Sequence, residues 1–265
     1  MVTAILFVNH ASPTTITKFH DLLMNLTLET LPNWEFELSI FLNNKFSKPF
    51  NNNNENGHNE FDNILPNRYL YTLQLSYLNN EENNNRMISI INNNKSILTI
   101  IPNINNSINN NDLKLKEHIL NGCCNNLNNN KSNENLELLL VNKLQSLWTL
   151  KQTIRGEGGI GYLINIELGS NNKGEKFKIR TNNCLLHGNF KGFLIEIEHI
   201  DELMNETINK NEMILRFTKS IELIKLLIEK FNFPNGNLCF NVLNDSKLDY
   251  YSDLCQQYCD ALNSI

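Results

Sequence analysis

The stretch Arg155–Leu168, RGEGGIGYLINIEL, decides between two folds. Gly156, Gly158 and Gly161 spell G-x-G-x-x-G, the spacing with which a backbone curls around a pyrophosphate. Such a loop works where a strand enters it and a helix opens from it, because a helix N-terminus presents free N–H groups and positive dipole. Here the flanks are reversed. In the preceding NLELLLVNKLQSLWTLKQTI, the residues Leu136, Leu140, Leu144, Leu147 and Ile154 fall on one helical stripe beside Trp148, which predicts a helix ending at Arg155. The following GYLINIEL predicts a strand. Gly156 then sits where a left-handed C′ residue belongs, behind a cation in the last turn. The region about twenty positions on, where a dinucleotide fold needs an acidic residue, reads KIRTNN. Tyr162 after Gly161 removes the Walker lysine as well. The glycines read as a helix stop and a turn, and a doubly wound sheet is set aside.

Working outward, TAILFV (Thr3 to Val8) is a compact strand. A helix follows with Ser12 as N-cap and Pro13 at its first position, carrying Ile16, Phe19, Leu23 and Leu26. WEFELSIF alternates strictly, with Trp34, Phe36, Leu38 and Ile40 on one face. RYLYTLQLSYL resumes that alternation, and RMISII and SILTII are two short strands. Beyond the glycines come EKFKIRTNNCLL and FKGFLIEIEHI, joined as a hairpin through Gly188-Asn189. A helix carrying Phe217, Ile221, Ile224, Ile228 and Phe231 is stopped by Pro234 and Gly236. NLCFNVL is a further strand, and Leu248, Tyr251, Cys255, Tyr258 and Leu262 line a last helix.

Strands in consecutive runs predict an α+β fold: a mainly antiparallel β-barrel of about eight strands, with helices packed at the start, the middle and the C-terminus. The 265 residues are read as one domain interrupted by Asn-rich, disordered insertions at about 43–67 and 103–135. Asparagine fills roughly one position in five, and Ala occurs only at Ala4, Ala11 and Ala261, a bias read as background rather than function.

A net charge of −5 with no basic stripe argues against direct nucleic-acid binding. No apolar run is long enough to span a bilayer. The cysteines form no C-x-x-C, and Cys255 and Cys259 lie one helical turn apart, as packing residues do. The six histidines fall at no metal-ligand spacing, so no metal, cofactor or small-molecule ligand is expected.

One catalytic pattern is present. Glu35 with Glu37, and Glu196 with Glu198, each put two carboxylates on one face of a strand, and Lys176, Lys178 and Arg180 do so with cations. Barrels that hydrolyse triphosphates hold divalent metal on such carboxylates and phosphate on such basic strands, which makes a tunnel-type phosphohydrolase the alternative reading. By default these charges face solvent while Trp34, Phe36, Ile195 and Ile197 face the core. A Gly188-Asn189 turn sets Arg180 opposite Ile197, off the glutamate face; a register one residue different reverses this. The stripe Tyr69, Tyr71, Tyr77 is either a docking patch or, by default, a buried sheet face.

Several stretches in order resemble one family. AILFVNHASPTTITKFHDLL with Trp34 beyond it, LQSLWTLKQTIRGEGG, NFKGFLIEIEHID and CQQYCDAL are similar to blocks of the Mediator subunit 20 family. The matching residues are Leu144, Leu147, Trp148, Gln152, Arg155 and Gly156, then Phe190, Lys191, Gly192 and Glu196, then Gln257, Tyr258, Ala261 and Leu262. The resemblance implies a barrel sheet with helices in the head module of the Mediator coactivator of RNA polymerase II. It implies a heterodimer with subunit 18, a barrel of related fold, tethered to the head by subunit 8, in the nucleus. It implies no catalytic residue, and it leaves the partner-binding residues unknown.

Overall fold

The computed structural model describes residues 2–44, 68–78, 85–91, 95–101, 140–168, 174–201, 210–244 and 248–263. The expected insertions at about 43–67 and 103–135 lie outside the described residues, apart from Asn43 and Asn44.

Nine antiparallel strands make one sheet: β1 (Val2–Asn9), β2 (Thr27–Asn43), β3 (Tyr69–Leu75), β4 (Asn85–Ile91), β5 (Lys95–Ile101), β6 (Trp148–Glu167), β7 (Gly174–Leu186), β8 (Asn189–Ile200) and β9 (Asn237–Cys239). Their order is β5-β4-β3-β2-β6-β7-β8-β1-β9. Among the described residues three helices of more than one turn accompany it: α1 (Pro13–Leu26), α2 (Lys210–Lys230) and α3 (Tyr250–Leu262). The α+β class holds. The sheet is open rather than a closed barrel, and α3 spans its two ends by packing on β1 and β9 at one and on β4 and β5 at the other. Two side-chain hydrogen bonds fix that crossing: Thr3 Oγ1 donates to Gln257 Oε1 at 2.7 Å, and Ser96 and Ser252 hydroxyls meet at 2.7 Å.

Both faces of the sheet are covered, which is why β1 and β8 read as near-continuous apolar runs. On the inner face Ile5, Phe7, Trp34, Phe36, Leu38 and Leu194 pack against α3. On the outer face Ala4, Leu6, Phe177, Ile179, Ile195 and Ile197 lie beneath α1 and α2. Ser12 caps α1 by accepting from Thr15 N at 3.1 Å, with Pro13 behind it as expected. α2 ends in a Schellman motif: Asn232 adopts φ 48° and donates to Glu229 O, and Phe233 N donates to Ile228 O at 3.1 Å. The stop thus precedes Pro234 and Gly236.

The expected middle helix is corrected. Of its described residues 140–142 alone are helical, Leu136 lies outside the described residues, and β6 begins at Trp148. Residues Thr149 to Ile154 pair with β2 instead, inside a register that runs from Thr27↔Ile164 to Asn43↔Trp148. All the motif glycines therefore lie inside one strand, and none opens a helix. Gly156, Gly159 and Gly161 oppose Phe36, Trp34 and Leu31. A Cβ on Gly156 would overlap the Phe36 ring, and one on Gly159 would overlap Trp34 O. The missing side chains make room for β2's aromatics, and Gly158, at φ 68°, forms the bulge against β7.

Candidate functional site

Strand parity separates the two carboxylate pairs. Trp34 and Phe36 face inward, so Glu35 and Glu37 lie on the outer face, where Glu37 accepts from Arg155 Nε at 2.8 Å. Glu196 and Glu198 lie with Leu194 on the inner face and are fully buried. The sheet stands between the pairs, so they cannot share a metal. The solvent-facing default is correct for Glu35 and Glu37 and is corrected for Glu196 and Glu198.

The hairpin explains the correction. Its two-residue turn is His187-Gly188, with φ 51° and 76°, one position earlier than Gly188-Asn189. A bulge between Cys184 and Leu185 then shifts the pairing by one residue. Together they set Arg180 opposite Glu196 and Lys178 opposite Glu198. Arg180 Nη1 donates to Glu196 Oε1 at 2.6 Å and to Glu198 Oε2 at 2.8 Å. Tyr77 OH reaches both Glu196 oxygens at 2.8 and 2.9 Å, and Tyr258 OH from α3 reaches Oε2 at 2.8 Å. Arg180 also lies over the Tyr77 ring, 4.0 Å from its centroid.

The electrostatics follow from this packing. Burial alone would disfavour the Arg180 charge, but Glu196 and Glu198 outweigh it and hold the guanidinium above its ordinary pKa. Burial, and then the Glu196 charge, push the Tyr77 and Tyr258 phenols well above their usual range, so both stay protonated donors. Glu196 is thereby saturated by an arginine and two phenols, and α3 fills the interior that a triphosphate would need. The cluster cements the fold; the phosphohydrolase reading gains no support from it.

The tyrosine stripe also divides. Tyr69 and Tyr71 stack against each other and pack on the inner core, whereas Tyr77 sits past the strand in a 3-10 turn with its hydroxyl in the charge cluster. Cys255 and Cys259 are buried on α3, reduced, as packing residues. Among the described residues no group of three or more His, Cys, Asp or Glu is disposed to hold a metal, and no helix is long and apolar enough to cross a membrane.

On the outer face α1 and α2 cover the β1–β8 end, and Leu140, Leu144 and Trp148 cover Phe41 and Leu70 at the other. Between them, among the described residues, apolar side chains are exposed. Leu150, paired with Phe41, is exposed there, as are Val141 and Leu147 just before it. Across the sheet, Phe190 is exposed opposite Leu185, which itself faces Arg155. Exposure of these apolar side chains was not legible in the sequence, because a strand does not announce which part of a covered face is left bare.

An open antiparallel sheet packed at both ends on its own C-terminal helix, with its buried charges engaged by one another, defines an α+β protein whose charge cluster is structural. The sequence comparisons agree in class. The profile of the family described as "TATA-binding related factor (TRF) of subunit 20 of Mediator complex" matches residues 1–263. Mediator of RNA polymerase II transcription subunit 20 from Scheffersomyces stipitis is 34% identical over 267 residues, covering 99% of this chain and 100% of that one. Its counterpart in Debaryomyces hansenii is also 34% identical, with the same coverage over 277 residues, and that in Eremothecium gossypii is 24% identical over 263. The chain belongs to the Mediator subunit 20 family, which is a family of transcription coactivator components and not of enzymes.

Proposed function

We propose that this chain is a non-catalytic subunit of the Mediator head module, acting in the nucleus, where it pairs with subunit 18 and through it with subunit 8. The observation that carries the reading is the family match over residues 1–263, together with relatives matched along their full length. The fold supports it physically. Exposed Leu147 and Leu150 at one end, and exposed Phe190 next to half-buried Leu185 at the other, offer apolar contacts on either side of the Glu37–Arg155 pair, a mixed surface of the kind protein interfaces use.

The test is purification of the tagged chain from nuclear extract with mass spectrometry. The expected result is the head subunits with subunit 18 in equal amount; recovery of the chain alone overturns the assignment. Leu147→Glu/Leu150→Glu locates the interface. It should leave urea unfolding unchanged and abolish co-purification, and retention of subunit 18 by this folded variant removes these two residues from the interface.

A further inference from the structure

The charges buried on the inner face do not balance by themselves. Arg180 serves both Glu196 and Glu198, so one cation faces two carboxylates. The second cation is Lys178, the register partner of Glu198, whose Nζ stands 3.7 Å from Glu198 Oε1. Among the described residues that oxygen accepts no hydrogen bond. The Arg180, Glu196 and Glu198 side chains are 8%, 0% and 1% exposed, whereas Lys178 is 30% exposed. Of the four charged side chains, Lys178 is the most exposed.

Two routes lead from Glu198 to α3. One runs through Arg180 and Glu196 to the Tyr258 hydroxyl. The other runs through Thr3, which lies opposite Glu198 across β1–β8 and donates to Gln257 on α3. Neutralising Lys178 leaves an excess negative charge in a site shielded from water, where uncompensated charge is costly. The available responses are to draw Arg180 away from Glu196 or to admit water beside α3, and each weakens the seat of that helix.

We propose that Lys178 is an electrostatic control point for the C-terminal helix, and that acylation of its amine loosens α3 from the sheet. In that step the deprotonated Nζ attacks the carbonyl carbon of an acetyl thioester. The C–N bond forms, the C–S bond breaks, and the thiolate leaves and takes up the proton, so a cation becomes a neutral amide. The inference stands on the inner-face geometry and does not depend on the partner reading.

Hydrogen exchange on the full-length chain tests it, comparing α3 amides with those of α1. Lys178→Gln, and acetyl-lysine placed at 178, should speed α3 exchange about two- to fivefold relative to α1, the range expected for one partly exposed ion pair. Lys178→Arg should keep the native rate, and Lys178→Gln/Glu198→Gln should restore it. Unchanged α3 exchange in the Gln variant overturns the proposal. So does equal acceleration in α1, which marks a global loss of stability, or a double variant as loose as the single.

Discussion

Replacing Arg180 with methionine removes the cation from between two buried carboxylates while keeping most of the side-chain volume. Arg180 is buried, and so are Glu196 and Glu198, so neither carboxylate can turn to water. Breaking a buried ion pair from one side costs about 3–5 kcal/mol, because the partner is left charged and uncompensated. For a chain of 265 residues that is a fall in Tm of about 6–20 °C, at 2–4 °C per kcal/mol. Arg155→Met is the control: its side chain is 63% exposed, it pairs with Glu37 at the surface, and its loss costs about 1 kcal/mol at most. Urea unfolding followed by far-UV circular dichroism measures both. Exchanging all three buried charges and the two phenols they engage, in Arg180→Met/Glu196→Leu/Glu198→Leu/Tyr77→Phe/Tyr258→Phe, should recover much of the loss, since apolar isosteres of buried ionic groups are often neutral. If Arg180→Met costs no more than Arg155→Met, the inner cluster is not compensating buried charge and the account of how α3 is held is wrong.

Tyr258→Phe deletes one hydrogen bond to a charged acceptor without opening a cavity and should cost about 1.5–3 kcal/mol by the same unfolding assay. Gly156→Ala puts a methyl group into the Phe36 ring and should cost about 1–3 kcal/mol; a neutral result would show that β2 and β6 are not in the observed register. Gly188→Ala has open space around it but sits at φ 76°, so its cost, about 1–2 kcal/mol, should come from backbone strain alone. His199 links α2 to the sheet through Ser220 Oγ at 3.0 Å and Glu175 Oε2 at 3.2 Å; burial lowers its pKa below the usual imidazole value, against the opposing pull of Glu175 and Asp201. The unfolded chain therefore binds the extra proton, so stability should be full above pH about 6.5 and fall as pH drops through the lowered folded-state value. His199→Gln should flatten that slope in a Tm-against-pH series, and an unchanged slope assigns it to other groups such as His20, whose pKa burial also lowers.

Where the chain signals its structure locally, the sequence was sufficient. The Ser12-Pro13 start of α1, the alternation of Trp34, Phe36, Leu38 and Ile40, and the apolar spacing of α2 each depend on neighbours a few residues away, and each formed as expected. Where the outcome depends on pairing between distant segments, it was not. In LWTLKQTI, Leu147 and Ile154 fit a helix two turns long, but Trp148, Leu150, Gln152 and Ile154 fit a strand equally well. Pairing with β2 on one side, joined from Ile154 onward by β7 on the other, decides for the strand, and no window of local sequence contains either partner.

The same reason hid the charge cluster. Glu196 and Glu198 were visible as a pair, and so were the cations of β7, but their meeting hung on one residue of register. A two-residue turn at His187-Gly188 alone would set Arg180 opposite Ile195, as the pairing Leu186↔Asn189 and Leu185↔Phe190 implies; the bulge at Cys184/Leu185 moves it to Glu196. Without that bulge both carboxylates would still point inward, but the cations would point outward beneath α1 and α2, and two unpaired negative charges would face Tyr258. The bulge is therefore what lets this sheet bury acidic residues under its C-terminal helix. An insertion or deletion within 182–188 should consequently damage the fold more than the loss of any single side chain in the hairpin.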